Sequence, residues 1–203
     1  MKIRAYITAY DRPEMLKKVV ERFREYDIEP VIFEDGVTHP HRGKKGFWKT
    51  WDEILKDAKQ NVADLYIFIA DDFLDLDIDR IIEIHNDFDK PYVYNIVNDG
   101  RWQSWGYFRK QEPIDGHELV GYCDCGFFCD RSALKETEWK INQPNPNRWN
   151  RNPNMSSGVG QYLTGKFINN VPMYKPIKSL AYHGDHESKM HPEERKKNPL
   201  TSR

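Results

Sequence analysis

Hydrophobic positions in the first part of the chain switch between short continuous runs and helical spacing. Residues 3–10 (Ile-Arg-Ala-Tyr-Ile-Thr-Ala-Tyr) read as a strand, after which Met15, Leu16, Val19, Val20, Phe23 and Tyr26 recur along one helix face. Asp11 stands three residues before Glu14, with Pro13 between them, an Asp version of a capping box that predicts the helix start. Residues 30–33 (Pro-Val-Ile-Phe) make a second strand ending in Glu34-Asp35-Gly36, and strand, helix and strand predict a parallel pair with a right-handed crossover. Residues 37–46 read as a loop, followed by a helix with Phe47, Trp48, Trp51, Ile54, Leu55 and Ala58 on one face. That helix leads into Leu65-Tyr66-Ile67-Phe68-Ile69, a run of β-formers that reads as a strand buried on both faces and stops on Ala70-Asp71-Asp72.

Beyond the acids, residues 77–88 predict a helix with Ile78, Ile81, Ile82, His85 and Phe88 inward, His85 as a satisfied, half-buried histidine. Residues 92–95 read as a strand and residues 98–100 as a turn. From residue 101 to 121 aromatic and polar residues alternate without helical spacing, which predicts antiparallel strands forming a wall beside the first half. The Pro- and Asn-rich residues 142–154 have nothing to bury and read as a long loop, and residues 193–203 as a charged tail. Repeated strand-helix units place the chain in the α/β class: a Rossmann-related mixed central sheet flanked by helices. At 203 residues a single domain is expected, with residues 1–95 as a nucleotide-binding half and residues 96–192 as an acceptor-binding half.

Composition removes some partners. A net charge of -1, with 31% charged residues, gives no global field that would draw nucleic acid or a membrane surface. No run has the length of a signal peptide or a membrane span, so a soluble, cytoplasmic protein is expected. Aromatic residues reach 13%, with six tryptophans, many of them in polar surroundings suited to stacking on sugars or bases. Cys123, Cys125 and Cys129 are odd in number and lack zinc-hairpin spacing, so they read as structural thiols. Neither Gly-x-Gly-x-x-Gly nor a P-loop occurs, which argues against dinucleotide oxidoreductases and P-loop enzymes.

The candidate chemistry gathers at strand ends. In open α/β sheets ligands collect outside the carboxyl ends of strands, and Asp71 and Asp72 there could hold a hard divalent cation that itself holds phosphate. Alternatively, the two acids simply cap the next turn and the helix from about residue 77. The loop at residues 37–46 is rich in cationic side chains, among them Arg42 and Lys45, and could close on a diphosphate or stand as a solvated loop.

Taken in order, Tyr6-Ile7-Thr8-Ala9-Tyr10-Asp11-Arg12, Phe33-Glu34-Asp35-Gly36, Tyr66-Ile67-Phe68-Ile69-Ala70-Asp71-Asp72 and Gly126-Phe127-Phe128-Cys129-Asp130-Arg131-Ser132-Ala133-Leu134 resemble a compact glycosyltransferase of the GT-A fold. The resemblance implies a hexosyl- or pentosyltransferase using a nucleoside-diphosphate sugar. In it, Thr8, Ala9, Tyr10 and Arg12, with Glu34 and Asp35, hold base and ribose; Asp71 faces the ribose; Asp72 ligates Mn²⁺ or Mg²⁺. The family's acid motif has a carboxylate at both ends of three positions, and this chain has Ala70 at the first. A late histidine, His183, would complete the metal site, and Lys189, six residues on, would contact the diphosphate, although His186 stands where the family has glycine. The stretch around residues 155–163, where inverting members carry their general base, has no acid, so either Asp124 takes that part or configuration is retained. Trp102, Trp105, Arg148 and Trp149 are candidate acceptor contacts, with residues 142–154 as an acceptor lid; with the nearby arginines they would also suit a flipped hydroxymethylated DNA base. Two other readings stay open: a non-catalytic GT-A-like binding module, and a nucleotidyltransferase, whose glycine-rich loop is missing after the first strand.

Overall fold

The computed structural model describes residues 1–98, 114–123, 126–151 and 156–183, without the side chains of Arg151 and His183. Strands β1 (Ile3–Ala9) and β3 (Leu65–Ala70) are neighbours inside a seven-stranded sheet, and burial on both faces accounts for their apolar sequences. The strand β2 (Val31–Glu34) lies parallel to β1 on its other side. Past β3 the sheet becomes mixed. Strand β7 (Phe127–Asp130) runs antiparallel between β3 and β5 (Val93–Asn95), β8 (Met173–Pro176) is parallel to β5, and β6 (His117–Leu119) closes the edge antiparallel to β8. Among the described residues the order is β2-β1-β3-β7-β5-β8-β6, so this is an α/β domain on a mixed sheet flanked by helices.

Side-chain alternation along the strands makes two cores. On one face, Leu16, Val19, Val20 and Phe23 of α1 (Pro13–Arg24) and Ile78, Ile81 and Ile84 of α3 (Ile78–Asp87) cover Ala5, Ile7, Ile67 and Ile69. On the other, Trp51, Ile54, Leu55 and Ala58 of α2 (Gly43–Gln60), with α4 (Arg131–Lys135) and α6 (Val159–Phe167), cover Tyr6, Tyr66, Phe68 and Phe127. Right-handed crossovers that travel in opposite directions across a sheet must use opposite faces, as α1 and α2 do. The winding therefore reverses between β1 and β3, and their carboxyl ends flank the crevice where such sheets take ligands.

Several expectations change. Asp11 does not cap α1: it adopts a left-handed backbone (φ 52°), Arg12 is the N-cap, and no side chain caps the helix. Helix α2 starts at Gly43, inside the expected loop, because the Asp35 carboxylate accepts the backbone N–H of Arg42 at 2.5 Å and of Gly43 at 2.7 Å and so serves its first turn. In α3, Ile84 rather than Ile82 is fully inward, and His85 is buried against the Tyr92 hydroxyl at 2.6 Å. Residues 142–154 contain a short helix, α5 (Asn147–Arg151), whose Trp149 is 5% exposed, so this stretch does bury something. Of the expected antiparallel wall, β6 is the described part; residues 99–113 lie outside the described residues. Cys123 and Cys129 are buried, and Cys125 lies outside the described residues.

Two devices tie the far half together. A two-stranded ladder pairs β4 (Phe73–Leu74) with β9 (Tyr182–His183), Phe73 opposite His183, after Leu180 has bonded Ile96 and Asp77 through its backbone. Lys175, nearly fully buried, donates from Nζ to Asn98 Oδ1 and pairs with Glu118 Oε2, each at 2.9 Å. One ammonium group thus joins the residue three past β5 to the middle residue of β6.

Candidate functional site

Asp71 and Asp72 continue β3 past the last ladder residue, at 3% and 5% exposure. Asp77, not either of these acids, caps α3, accepting the Arg80 backbone N–H at 3.0 Å. Asp71 instead closes a circuit with the loop after β1. Its Oδ2 accepts the Tyr10 backbone N–H at 2.9 Å, and Arg12 Nη1 lies 3.2 Å from its Oδ1 and 2.6 Å from Asp72 Oδ2. Burial pushes the Asp71 carboxyl up to about 6; the Tyr10 N–H opposes that shift, neighbouring Asp72 adds to it, and Arg12 opposes it. A single guanidinium, itself 11% exposed, serves two buried carboxylates at the switch point.

Backbone register brings a third element here. Because Phe73 pairs with His183, the C-terminal strand reaches the residue after Asp72, as a site shared by Asp72 and His183 requires of the backbone. Among the described residues, no group of three or more His, Cys, Asp or Glu side chains is gathered to hold a metal ion.

Around the mouth, Tyr10 and His41 stack with ring centroids 5.7 Å apart, and His41 Nδ1 lies 3.6 Å from Asp35 Oδ2. His41 is the residue the sequence reading left out: nothing in a basic loop shows that one of its imidazoles will meet an aromatic side chain thirty-one positions earlier. Glu34 is half-buried at the end of β2, where its carbonyl accepts the N–H groups of residues 37–39. Thr8 and Ala9 are buried within β1, and the Thr8 hydroxyl donates to the Ile69 carbonyl at 3.3 Å, so these two shape the crevice floor. Arg42 is engaged by Glu53 through two bonds of 2.9 and 2.7 Å, which raise its pKa, and it faces α2 rather than the mouth. Lys45 is exposed on the first turn of α2.

Near α5 and α6, Arg148 donates to Gln161 Oε1 at 2.9 Å and lies against Gly158, whose left-handed backbone (φ 86°) and missing Cβ admit the guanidinium. Its neighbour Trp149 presents little ring surface, being buried. Trp102, Trp105, Asp124 and Lys189 lie outside the described residues.

No helix among the described residues is long and apolar enough to cross a membrane. No protein-family model matches the chain, and no curated protein matches it. Among solved structures the chain is similar to A197 from STIV, at 21% identity over 91% of this chain and 86% of that one, with a TM-score of 0.47.

Proposed function

We propose that the protein is a metal-dependent glycosyltransferase that moves a sugar from a nucleoside-diphosphate sugar to an acceptor. The observation that carries this reading is the buried Asp71–Asp72 pair at the carboxyl end of β3, beside the reversal in sheet winding. Carboxylate oxygens are the ligands Mn²⁺ and Mg²⁺ take, and Asp71 and Asp72 bring two carboxylates to this strand end. Asp72 and His183 would hold the ion, which when bound neutralises the charge that grows on a departing diphosphate. Asp71 keeps the loop after β1 in place, and Tyr10, His41 and Asp35 offer two rings and a carboxylate for a base and ribose.

The test is thermal denaturation against a panel of nucleoside diphosphates and sugar nucleotides with Mn²⁺, with Mg²⁺ and with EDTA. Ligand at a hundred times its dissociation constant adds about 2.7 kcal/mol of stability. A rise in Tm that needs metal is the expected result; no rise under any condition overturns the reading. One observation favours a second reading. Arg12 already neutralises the acids, as a nucleotide-binding module without metal would require, and a rise that EDTA leaves untouched would select that module.

A further inference from the structure

Asp71 and Asp72 are served by the same nitrogen, Arg12 Nη1, at 3.2 and 2.6 Å, in a setting where all three side chains are largely removed from water. A divalent ion on Asp72 would meet that guanidinium at close range, and like charges in a poorly screened site oppose each other strongly. The two cations cannot share the carboxylate at low cost. Arg12 stands at the N-cap of α1 behind a left-handed Asp11, and its side chain reaches both acids from there.

Resting on the reading above, we infer that Arg12 holds the place of the metal ion in the ligand-free protein and yields it when a diphosphate arrives. The diphosphate supplies the negative charge that a guanidinium needs on leaving two buried acids, and its fork suits phosphate oxygens. Metal and nucleotide therefore load together: the ion alone faces Arg12, and the nucleotide draws Arg12 off Asp72. A ligand shifts such an equilibrium only by its differential affinity for the two arrangements, which here is the difference between meeting Arg12 on the acids and meeting it on phosphate.

The experiment is Mn²⁺ binding in the absence of nucleotide, read from the electron paramagnetic resonance signal of the free aquo ion. Wild type, Arg12→Gln, Arg12→Lys and the double variant Arg12→Gln/Asp72→Asn are compared. Arg12→Gln is expected to bind Mn²⁺ roughly tenfold or more tightly than wild type, Arg12→Lys to resemble wild type, and the double variant to lose the gain. If Arg12→Gln is unfolded without metal, Mn²⁺ is expected to restore its far-ultraviolet circular dichroism below the concentration that saturates wild type; failure to do so overturns the inference. Equal Mn²⁺ affinity in wild type and Arg12→Gln overturns the inference and leaves the metal-dependent reading standing. Absence of Mn²⁺ binding in every protein, with or without UDP, GDP, CDP or ADP, overturns both.

Discussion

The ring of Phe73 occupies the place a Cβ on Gly126 would take, with Cε1 and Cζ overlapping it. Phe73 follows Asp72 and pairs with His183, so this contact sets how the acid pair and the C-terminal strand meet. Gly126→Ala forces the ring or the strand to shift, and overpacking of that kind costs about 1–3 kcal/mol. Urea denaturation is expected to show that loss; an unchanged midpoint would mean that the ring relocates freely.

Arg12→Gln leaves Asp71 and Asp72 buried beside each other without their cation. Breaking a buried pair by removing one partner costs about 3–5 kcal/mol, so the variant is expected to unfold at markedly lower denaturant. Arg12→Lys keeps the charge and is expected to lose less. A loss below ~1 kcal/mol for the glutamine variant would place the pair in the class of solvent-screened surface bridges.

Asp35 is tied to helix stability by the two N–H groups it accepts at the start of α2. Asp35→Ala is expected to cost about 1–2 kcal/mol, as lost N-terminal caps do. Amide hydrogen exchange checks the cause: protection should fall first at Arg42 and Gly43 and leave the C-terminal turn of α2 unchanged.

His85 and His117 each lie against a tyrosine hydroxyl, at 2.6 Å to Tyr92 and to Tyr94. Burial lowers the pKa of both, assisted by Lys90 near His85 and by Arg80 near His117. The unfolded chain then binds protons more readily than the folded one. Their contribution is complete above the unfolded value of about 6.5 and is lost as pH falls from there through the folded values. Asp71, held up to about 6, acts with the opposite sign between pH 7.5 and 5, so the histidine contribution is read by difference: relative to wild type, His85→Gln/His117→Gln is expected to gain in denaturation midpoint as pH falls from 7.5 to 5. An unchanged slope in the double variant would assign the acid sensitivity to other groups.

Periodicity in the sequence carried the strands β1, β2 and β3 and the inward faces of α1 and α2, since those patterns follow from burying one face or two. Details set by distant partners were not legible. Asp11 looks like a cap until Arg12 is pulled toward acids about sixty positions away, which fixes the loop in another conformation. Gly43 and Gly46 read as loop punctuation, while the α2 start depends on a carboxylate from β2. Trp149 sits in a Pro- and Asn-rich stretch with no periodic neighbours, so nothing local shows that its ring is buried. The acid pair was visible at a strand end; its guanidinium partner and the stacking of His41 on Tyr10 needed three dimensions.

Lys175 joins Asn98 to Glu118, so the residue three past β5 and the middle residue of β6 share one buried cation. One side chain is thus the common tether of two positions twenty residues apart in the chain, and whatever disturbs its ammonium group is felt at both.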